Sequence, residues 1–313
     1  MPPQSADAVC PACGAGLVAW LSVRASEPAL GDTRYQLLRC LACGTARTSA
    51  GALPGLHDSG AYQPRAPRLH RAARPVLAAF DQRRLRLLRA LVPPPARLLD
   101  AGAGRGRFVA AAGAAGYDAF GIDPSGRAAG ERSGGPLRRV TIAQAEIAPR
   151  SLDAVTLWHV LEHLEQPGEA LARIAGWLRP GGGLLVAVPN LESLQARVAG
   201  ERWYHFDVPR HRVHFTPAGL HRLLAGRGFE VVATHHVLLE HNPYGMWQSL
   251  VNPLTARPSY LYNLLKRNAP LRSIDLPVSL LALALAPAAA AAELIAGLTS
   301  RGGTIAVSAR RRR

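Results

Sequence analysis

Four cysteines in a chain of 313 residues fall into two identical pairs, Cys10-Pro-Ala-Cys13 and Cys40-Leu-Ala-Cys43, each followed by glycine. Two residues between thiolates let one tight turn aim both sulfurs at one ion, and two such knuckles complete a tetrahedral four-sulfur zinc site. With no cysteine left over, the expected zinc is structural. The competing chemistry, two redox-active dithiols, would need a βαβ surround that neither pair has. A second group is Asp100, Gly102, Gly104 and Gly106 in LLDAGAGRGRF. Glycines there let the polar end of a ligand approach the backbone and the N-terminus of the helix that follows. The dinucleotide pattern G-x-G-x-x-G fails at Arg107, and no Lys-Ser/Thr follows for a P-loop. Asp123 ends the next apolar run, where a carboxylate can accept both hydroxyls of a ribose. The third group is histidine-rich: His159-Val-Leu-Glu162-His163, and RWYHFDVPRHRVHFTP from Arg202 to Pro217. Imidazoles beside acids can exchange protons near neutral pH.

These groups need elements to hold them. Plausible strands, Leu17 to Val23 and Arg34 to Arg39, fill the spacing between the cysteine pairs, and 51–68, rich in Gly, Pro, His and Ser, reads as a linker. From Leu69 to Val92, Leu77, Phe80, Leu85, Leu88 and Leu91 recur at helical spacing until Pro93-Pro94-Pro95 ends the helix. The buried strand ARLLD then runs into the glycine loop, and Asp118 to Ile122 is the strand that delivers Asp123.

At these residues the sequence resembles the class I S-adenosylmethionine-dependent methyltransferases. The family's D-x-G-x-G-x-G is matched by Asp100, Gly102, Gly104 and Gly106, and its ribose acid by Asp123. LDAVTLWHVLEHL (Leu152 to Leu164), ALARIAGWLRPGGGLLVAVPN (Ala170 to Asn190), FTPAGLHRLLAGRGFEVV (Phe215 to Val232) and GGTIAVSAR (Gly302 to Arg310) follow in the family's order. The resemblance implies a doubly wound, Rossmann-like α/β fold with a seven-stranded, mostly parallel sheet whose last strand is antiparallel. It divides the chain into a zinc-ribbon-like module over 1–50, a methyltransferase domain over 69–237 and 302–313, and a hydrophobic helical insertion over 238–301. It also implies that Asp100 and the glycine loop hold the methionyl end of the cofactor, Asp123 the ribose, and the backbone of Gln144 to Glu146 the adenine edge. Gln144 stands where many relatives have an aspartate. His159, on the cofactor side of the sheet, opens a segment similar to the E-x-x-E-H of ubiquinone-pathway O-methyltransferases, where acids and histidine can hold a divalent cation. His159 replaces the first acid of that pattern, and in the wider family Glu162 and His163 often only cap and pack the next helix.

Methyl transfer from a sulfonium is an in-line displacement, so the chain must align the acceptor and, for a hydroxyl, supply a base. We expect His211 as that base, oriented by Asp207, with His163 as a further catalytic candidate. Alternatively Asp207 and Arg210 form an ion pair that shapes the lid, with His214 packed in the core. The expected acceptor is a small hydroxylated, sugar-like or lipid-linked molecule. RNA methylation competes, since the formal charge is +16 and polyanions would be attracted. Against it, the N/D-P-P-Y/F motif of amino methylation is missing after Trp158, Asn242-Pro243-Tyr244 falls elsewhere, and no cysteine outside the knuckles offers a nucleophile. A non-catalytic binding protein is a third class, opposed by the intact acid and glycine positions.

The run from Leu276 to Leu298 is the most hydrophobic in the chain. It lies between two strands that neighbour each other in such a sheet, so a single membrane crossing is excluded. Pro287 divides it into pieces shorter than the roughly 20 residues a crossing needs, and two antiparallel helices in a shallow hairpin are expected. Trp247, Tyr260, Tyr262, Lys266, Arg267, Arg272, Arg301 and Arg310 to Arg313 flank it and suit an anionic membrane surface. Packing against protein explains it equally. MPPQSADAVCPACG lacks a basic segment followed by an apolar one, so the expected place is the cytoplasm, with peripheral contact on the cytoplasmic membrane face as the membrane reading requires.

Overall fold

Strands with apolar residues on both faces belong in the middle of a sheet covered on both sides, and those at the centre of this protein do. The computed structural model describes residues 9–50, 68, 72–125, 136–271 and 273–313. The linker expected over 51–68, Arg68 excepted, and Arg272 lie outside these residues. Three antiparallel strands come first: β1 (Leu17–Arg24), β2 (Arg34–Cys40) and β3 (Ala46–Ser49). Helix α1 (Arg74–Leu91) then leads to β4 (Arg97–Ala101), α2 (Arg107–Ala114), β5 (Asp118–Ile122), the short β6 (Leu137–Arg138) and β7 (Leu152–Trp158). After α3 (Pro167–Trp177) and β8 (Leu178–Pro189), α4 (Leu194–Ala199) opens the lid segment containing β9 (Val213–His214). Helix α5 (Pro217–Gly226), started by the Thr216 hydroxyl accepting from the Gly219 amide, precedes β10 (Phe229–His235).

The main sheet has seven strands in the order β10-β11-β8-β7-β4-β5-β6, where β11 is Thr304–Arg311. β11 is antiparallel to both β10 and β8, and the other pairs are parallel. Leu98, Leu99, Val155, Leu157, Val186 and Val307 have no exposed surface, as a central position requires. From β4 the chain builds outward through β5 and β6, then returns to place β7 on the other side of β4. That reversal opens a crevice at the carboxyl ends of β4 and β7, where ligands of such sheets bind.

The cysteine module shares its sheet with the rest of the chain. β9 is its fourth strand, pairing Ala46 with His214 and Arg47 with Val213. Cys10, Cys40 and Cys43 pack into the main core beside Val213, Phe215 and Leu220, while Leu37 and Ala46 pack against Trp203, Phe206 and Val208. Three short strands bury too little surface to stand alone.

Between β10 and β11 lie α6 (Asn242–Val251), α7 (Tyr260–Leu265), α8 (Asp275–Leu281), a 3₁₀ stretch (Ala282–Leu285) and α9 (Ala286–Leu298). The hairpin expected at Pro287 is corrected: Asp275–Leu298 is one helical rod of 24 residues. Pro287 sits at the start of α9 after the 3₁₀ stretch, where a missing N–H breaks no helix. The antiparallel partner of α9 is α6, sealed by Met246, Trp247, Val251, Ala282 and Ala289. β10 and β11 are neighbours, so the insertion leaves and returns on one side of the sheet.

Candidate functional site

The glycine loop hangs from the end of β4. Gly102 takes φ +84° and packs against Val160, at 2.2 Å from where a Cβ would sit, so strand exit and loop touch directly. Gly104 takes φ +57° with nothing within 4 Å of its Cβ position, an open cradle facing the crevice. Its amide donates to Asp123 Oδ2 at 2.8 Å, while Asp123 Oδ1 accepts from the Ser125 amide at 2.9 Å and from the Ser125 hydroxyl. A carboxylate oxygen has two lone pairs, so Oδ2 can still accept from one hydroxyl of a diol. Asp100 is buried and accepts from Arg84 of α1 and, at 2.6 Å, from Thr156 Oγ1. The Arg84 guanidinium also stacks 3.6 Å from the Phe108 ring. Asp100 therefore ties α1, β4 and β7 together beneath the loop. Open space at Gly104, left-handed backbone and an acid after β5 fit the nucleoside and methionyl parts of S-adenosylmethionine. Gln144 and Glu146 stand apart on an exposed turn, the Gln144 amide oxygen accepting from Thr141 Oγ1 at 3.0 Å.

Gly102 and Gly104 should separate on alanine substitution. Gly104→Ala adds roughly 1–2 kcal/mol of left-handed strain but meets no atom, so the fold survives while S-adenosylhomocysteine affinity falls about tenfold or more. Gly102→Ala must also push Val160 aside and should lower the melting temperature further. Calorimetric titration and thermal unfolding of both variants check this, and an unchanged ligand affinity in Gly104→Ala would refute the cradle.

Beyond the loop, β7 exits into His159, at φ +55°, and a 3₁₀ turn that carries Glu162 and His163. The lid segment and the start of the insertion close over them, leaving a cavity of about 140 Å³ lined by His159, His163, His205, His211, His241 and Tyr262 among others. That is about the space of one six-membered ring. The Nδ1–H of His163 donates to the Arg210 carbonyl at 3.1 Å, and that of His211 to the His205 carbonyl at 2.7 Å. A carbonyl only accepts, so in each neutral ring the lone pair is on Nε2. The two rings meet edge to face at 4.6 Å. One ligand-capable atom each of Glu162, His163 and His211 lies within 4.8 Å of the others, a set that could share a proton or hold a divalent cation. His211, from the lid, thus joins Glu162 and His163. His159 bonds Glu162 Oε1 at 3.1 Å, lies parallel to the His205 ring and meets His241 edge to face.

Burial pushes the Glu162 carboxyl up to about 7, with the nearby His211 opposing the shift. Burial also lowers His159 to about 4 and His241 to about 4, so these walls stay neutral. Glu162 Oε2, His159 Nε2 and His205 Nε2 are buried without a hydrogen-bond partner among the described residues. Unsatisfied buried polar atoms are costly, and a polar molecule or ion in the cavity would satisfy them.

Asp207 does not orient His211 as expected from sequence. His211 Nε2 is 3.9 Å from Asp207 Oδ2, too far for a hydrogen bond. Arg210 grips both Asp207 oxygens, with Nε to Oδ2 at 3.0 Å, and also pairs with Glu27, while Ser26 donates to Asp207. Burial would raise the Asp207 pKa, but Arg210 and then His211 hold it well below the usual carboxylate range. The His205 carbonyl orients His211 instead. His214 is buried and bonds Thr48 at 2.9 Å.

The four sulfurs fit one tetrahedral ion. Cys10 to Cys43 and Cys13 to Cys40 are each 3.6 Å, and Cys13 to Cys43 is 3.5 Å, near the roughly 3.8 Å between ligands of a zinc tetrahedron with 2.3 Å bonds. All four are free of disulfides.

Sequence reasoning missed His241 in the cavity, Arg84 under the loop, and Ser26 and Glu27 behind the lid. Histidine density hinted at the first. For Glu27, a lone acid 183 residues from Arg210, no local signal existed.

A family model described as a methyltransferase domain matches residues 70–234, more than half of the chain. A ubiquinone biosynthesis O-methyltransferase of Rhodopseudomonas palustris (strain HaA2) is 29% identical over 160 residues, covering 47% of this chain and 62% of that protein. The same-named protein of Caulobacter sp. (strain K31) is 33% identical over 111 residues, 34% of this chain and 39% of that one. The chain thus spans under two thirds of these relatives' lengths. Among solved structures, a SAM-dependent methyltransferase from Archaeoglobus fulgidus is 18% identical with a TM-score of 0.49, covering 75% of this chain and 94% of that one. A 1,6-didemethyltoxoflavin-N1-methyltransferase of Burkholderia thailandensis is 17% identical with a TM-score of 0.47, covering 89% and 96%.

Proposed function

The chain belongs to the methyltransferase-domain family and is an S-adenosylmethionine-dependent methyltransferase, and from that premise we propose that it methylates a hydroxyl of a small acceptor, ring-sized at its reacting end and hydroxylated, sugar-like or lipid-linked. Bound S-adenosylmethionine supplies an electrophilic methyl group. The observation that carries the reading is the pair of imidazoles, His163 and His211, each tied at Nδ1 to a backbone carbonyl in a small pocket beside Glu162. His211 Nε2 takes the acceptor's hydroxyl proton, and Glu162 steadies the imidazolium that forms. Partial similarity to two O-methyltransferases supports the choice of oxygen. A pocket of about 140 Å³ suits a small molecule better than RNA. Zinc in the cysteine site and a place in the cytoplasm complete the proposal.

The test is label transfer from S-adenosylmethionine to catechols, hydroxylated aromatic acids and simple glycosides, with the corresponding amines and bulk RNA in parallel. Transfer to a hydroxyl, lost when that hydroxyl is already methylated, is expected. Transfer only to amines or RNA would overturn the reading.

Glu162 gives a pH signature. The rate should rise with pH as Glu162 ionises near 7, and Glu162→Gln should flatten that rise. Stability should move oppositely. The folded-state pKa is raised above 4.5, so the folded chain binds this proton more tightly than the unfolded one. The resulting stabilisation is full below about 4.5 and lost as pH climbs through about 7. Urea unfolding at several pH values should show this slope in the wild type, reduced in Glu162→Gln.

A further inference from the structure

The rod formed by α8, the 3₁₀ stretch and α9 is inverted relative to a surface helix of a soluble protein. Its two acids point inward: Asp275 accepts from the amides of Ala256 at 2.7 Å and Arg257 at 3.2 Å, and Glu293 from the Gly303 amide at 2.7 Å and Gln195 at 2.8 Å. The inward face repeats at helical spacing through Asp275, Ser279, Ala282, Ala289, Glu293 and Ala296, all buried. The outward face is apolar along its whole length, with Leu281 79%, Ile295 62% and Leu298 71% exposed and Leu280, Leu285 and Leu294 about half exposed. No charged residue interrupts it. Twenty-four residues make a rod of about 36 Å.

We infer that this outer face lies in the plane of an anionic phospholipid bilayer, immersed in the headgroup and upper acyl region. Crossing is ruled out by the chain's course, because β10 and β11 pair side by side and both acids bind the rod to the body. The face's chemistry selects lipid over a second protein chain. Protein interfaces are enriched in aromatic residues, Met and Arg, and this face carries none, only leucine, isoleucine, alanine, valine and proline. Lipid demands no shape complementarity from such a surface. Charge agrees: exposed Arg257 and Arg267 stand near the amino end of the rod, exposed Arg301 follows its carboxyl end, and the whole chain carries +16. Exposed Leu271 and Ile274 extend the apolar face at the amino end.

The same insertion reaches the reactive cavity. His241, Tyr262 and Lys266 line it, and α6 packs along α9. Docking the rod would hold the cavity close to the bilayer, and, on the O-methylation reading, would favour an acceptor carried by a lipid anchor.

Sedimentation of the full chain with vesicles tests this without any turnover. Wild type should bind vesicles of phosphatidylcholine and phosphatidylglycerol, less in about 500 mM salt than in about 50 mM. Leu281→Gln/Ile295→Gln should bind about 100-fold more weakly, since each buried leucine or isoleucine is worth about tenfold. Leu285→Gln/Leu298→Gln serves as an independent second variant. Unchanged S-adenosylhomocysteine affinity shows that the variants are folded. The inference is overturned if wild type stays in the supernatant, if the variants bind as well as wild type, or if wild type is a dimer that the variants dissolve without vesicle binding. Vesicle binding without transfer to any hydroxyl would sink only the O-methylation reading.

Discussion

His211→Ala is expected to slow methyl transfer about 10²- to 10⁴-fold at saturating cofactor, the range for loss of a positioned base, with cofactor affinity within about twofold of wild type. The imidazole is set for this role by the His205 carbonyl, which holds Nδ1–H at 2.7 Å and puts the lone pair on Nε2. It also depends on a lid whose conformation is held elsewhere. Arg210, only 1% exposed, is clamped between Asp207 and Glu27, and removing one member of a buried ion cluster strands the others at a cost of about 3–5 kcal/mol. Asp207→Asn should therefore lower stability along with activity, and by more than His211→Ala does. Single-turnover rates and thermal unfolding on both variants separate the two roles. A loss below about tenfold in His211→Ala would remove it as the base, and an acceptor proton taken by His163 would then show as a large loss in His163→Ala.

What the sequence made legible follows from how local each signal is. Asp100, Gly102, Gly104 and Asp123 come from two consecutive strand ends, which meet because β4 and β5 pair in parallel as neighbours. The cysteine pairs were equally plain, because a knuckle is closed by its own turn. The cavity was harder to read. Its floor comes from the β7 exit, its roof from the lid and its side from the insertion, so only the fold could show that His211 joins Glu162 and His163. The partner of Asp207 was misjudged for a physical reason: Arg210 offers two donors in a plane matching both carboxylate oxygens, and the more distant ring cannot compete. Pro287 misled because a proline that ends a helix interior is harmless at a first turn.

Removing the zinc proposed for the cysteine site is expected to abolish activity although no sulfur approaches the reactive cavity. The connection is structural. The Cys43 carbonyl accepts from Thr216 Oγ1, the hydroxyl that also starts α5. Thr48 in β3 donates to the His211 carbonyl at 2.7 Å, and β3 pairs with β9 inside the lid. Ser26 and Glu27 complete the clamp on Asp207 and Arg210. Four thiols packed into the core have little besides one another to hold them, and a structural zinc site contributes folding free energy directly. Chelation, or Cys43→Ser, should lower the melting temperature by more than about 10 °C, since each kcal/mol shifts a domain of this size by roughly 2–4 °C. It should also quench transfer before the seven-stranded sheet unfolds, because the lid depends on the module more than β4 or β8 does. Metal analysis, thiol titration and near-ultraviolet dichroism of Trp20 and Trp203 follow the release. Both tryptophans pack against Phe206 in the lid, so their signal should fall in step with activity. A metal-free chain that keeps its melting temperature and its transfer rate would show the sulfurs to be dispensable, and with them the route by which residues 9–50 shape the reactive cavity.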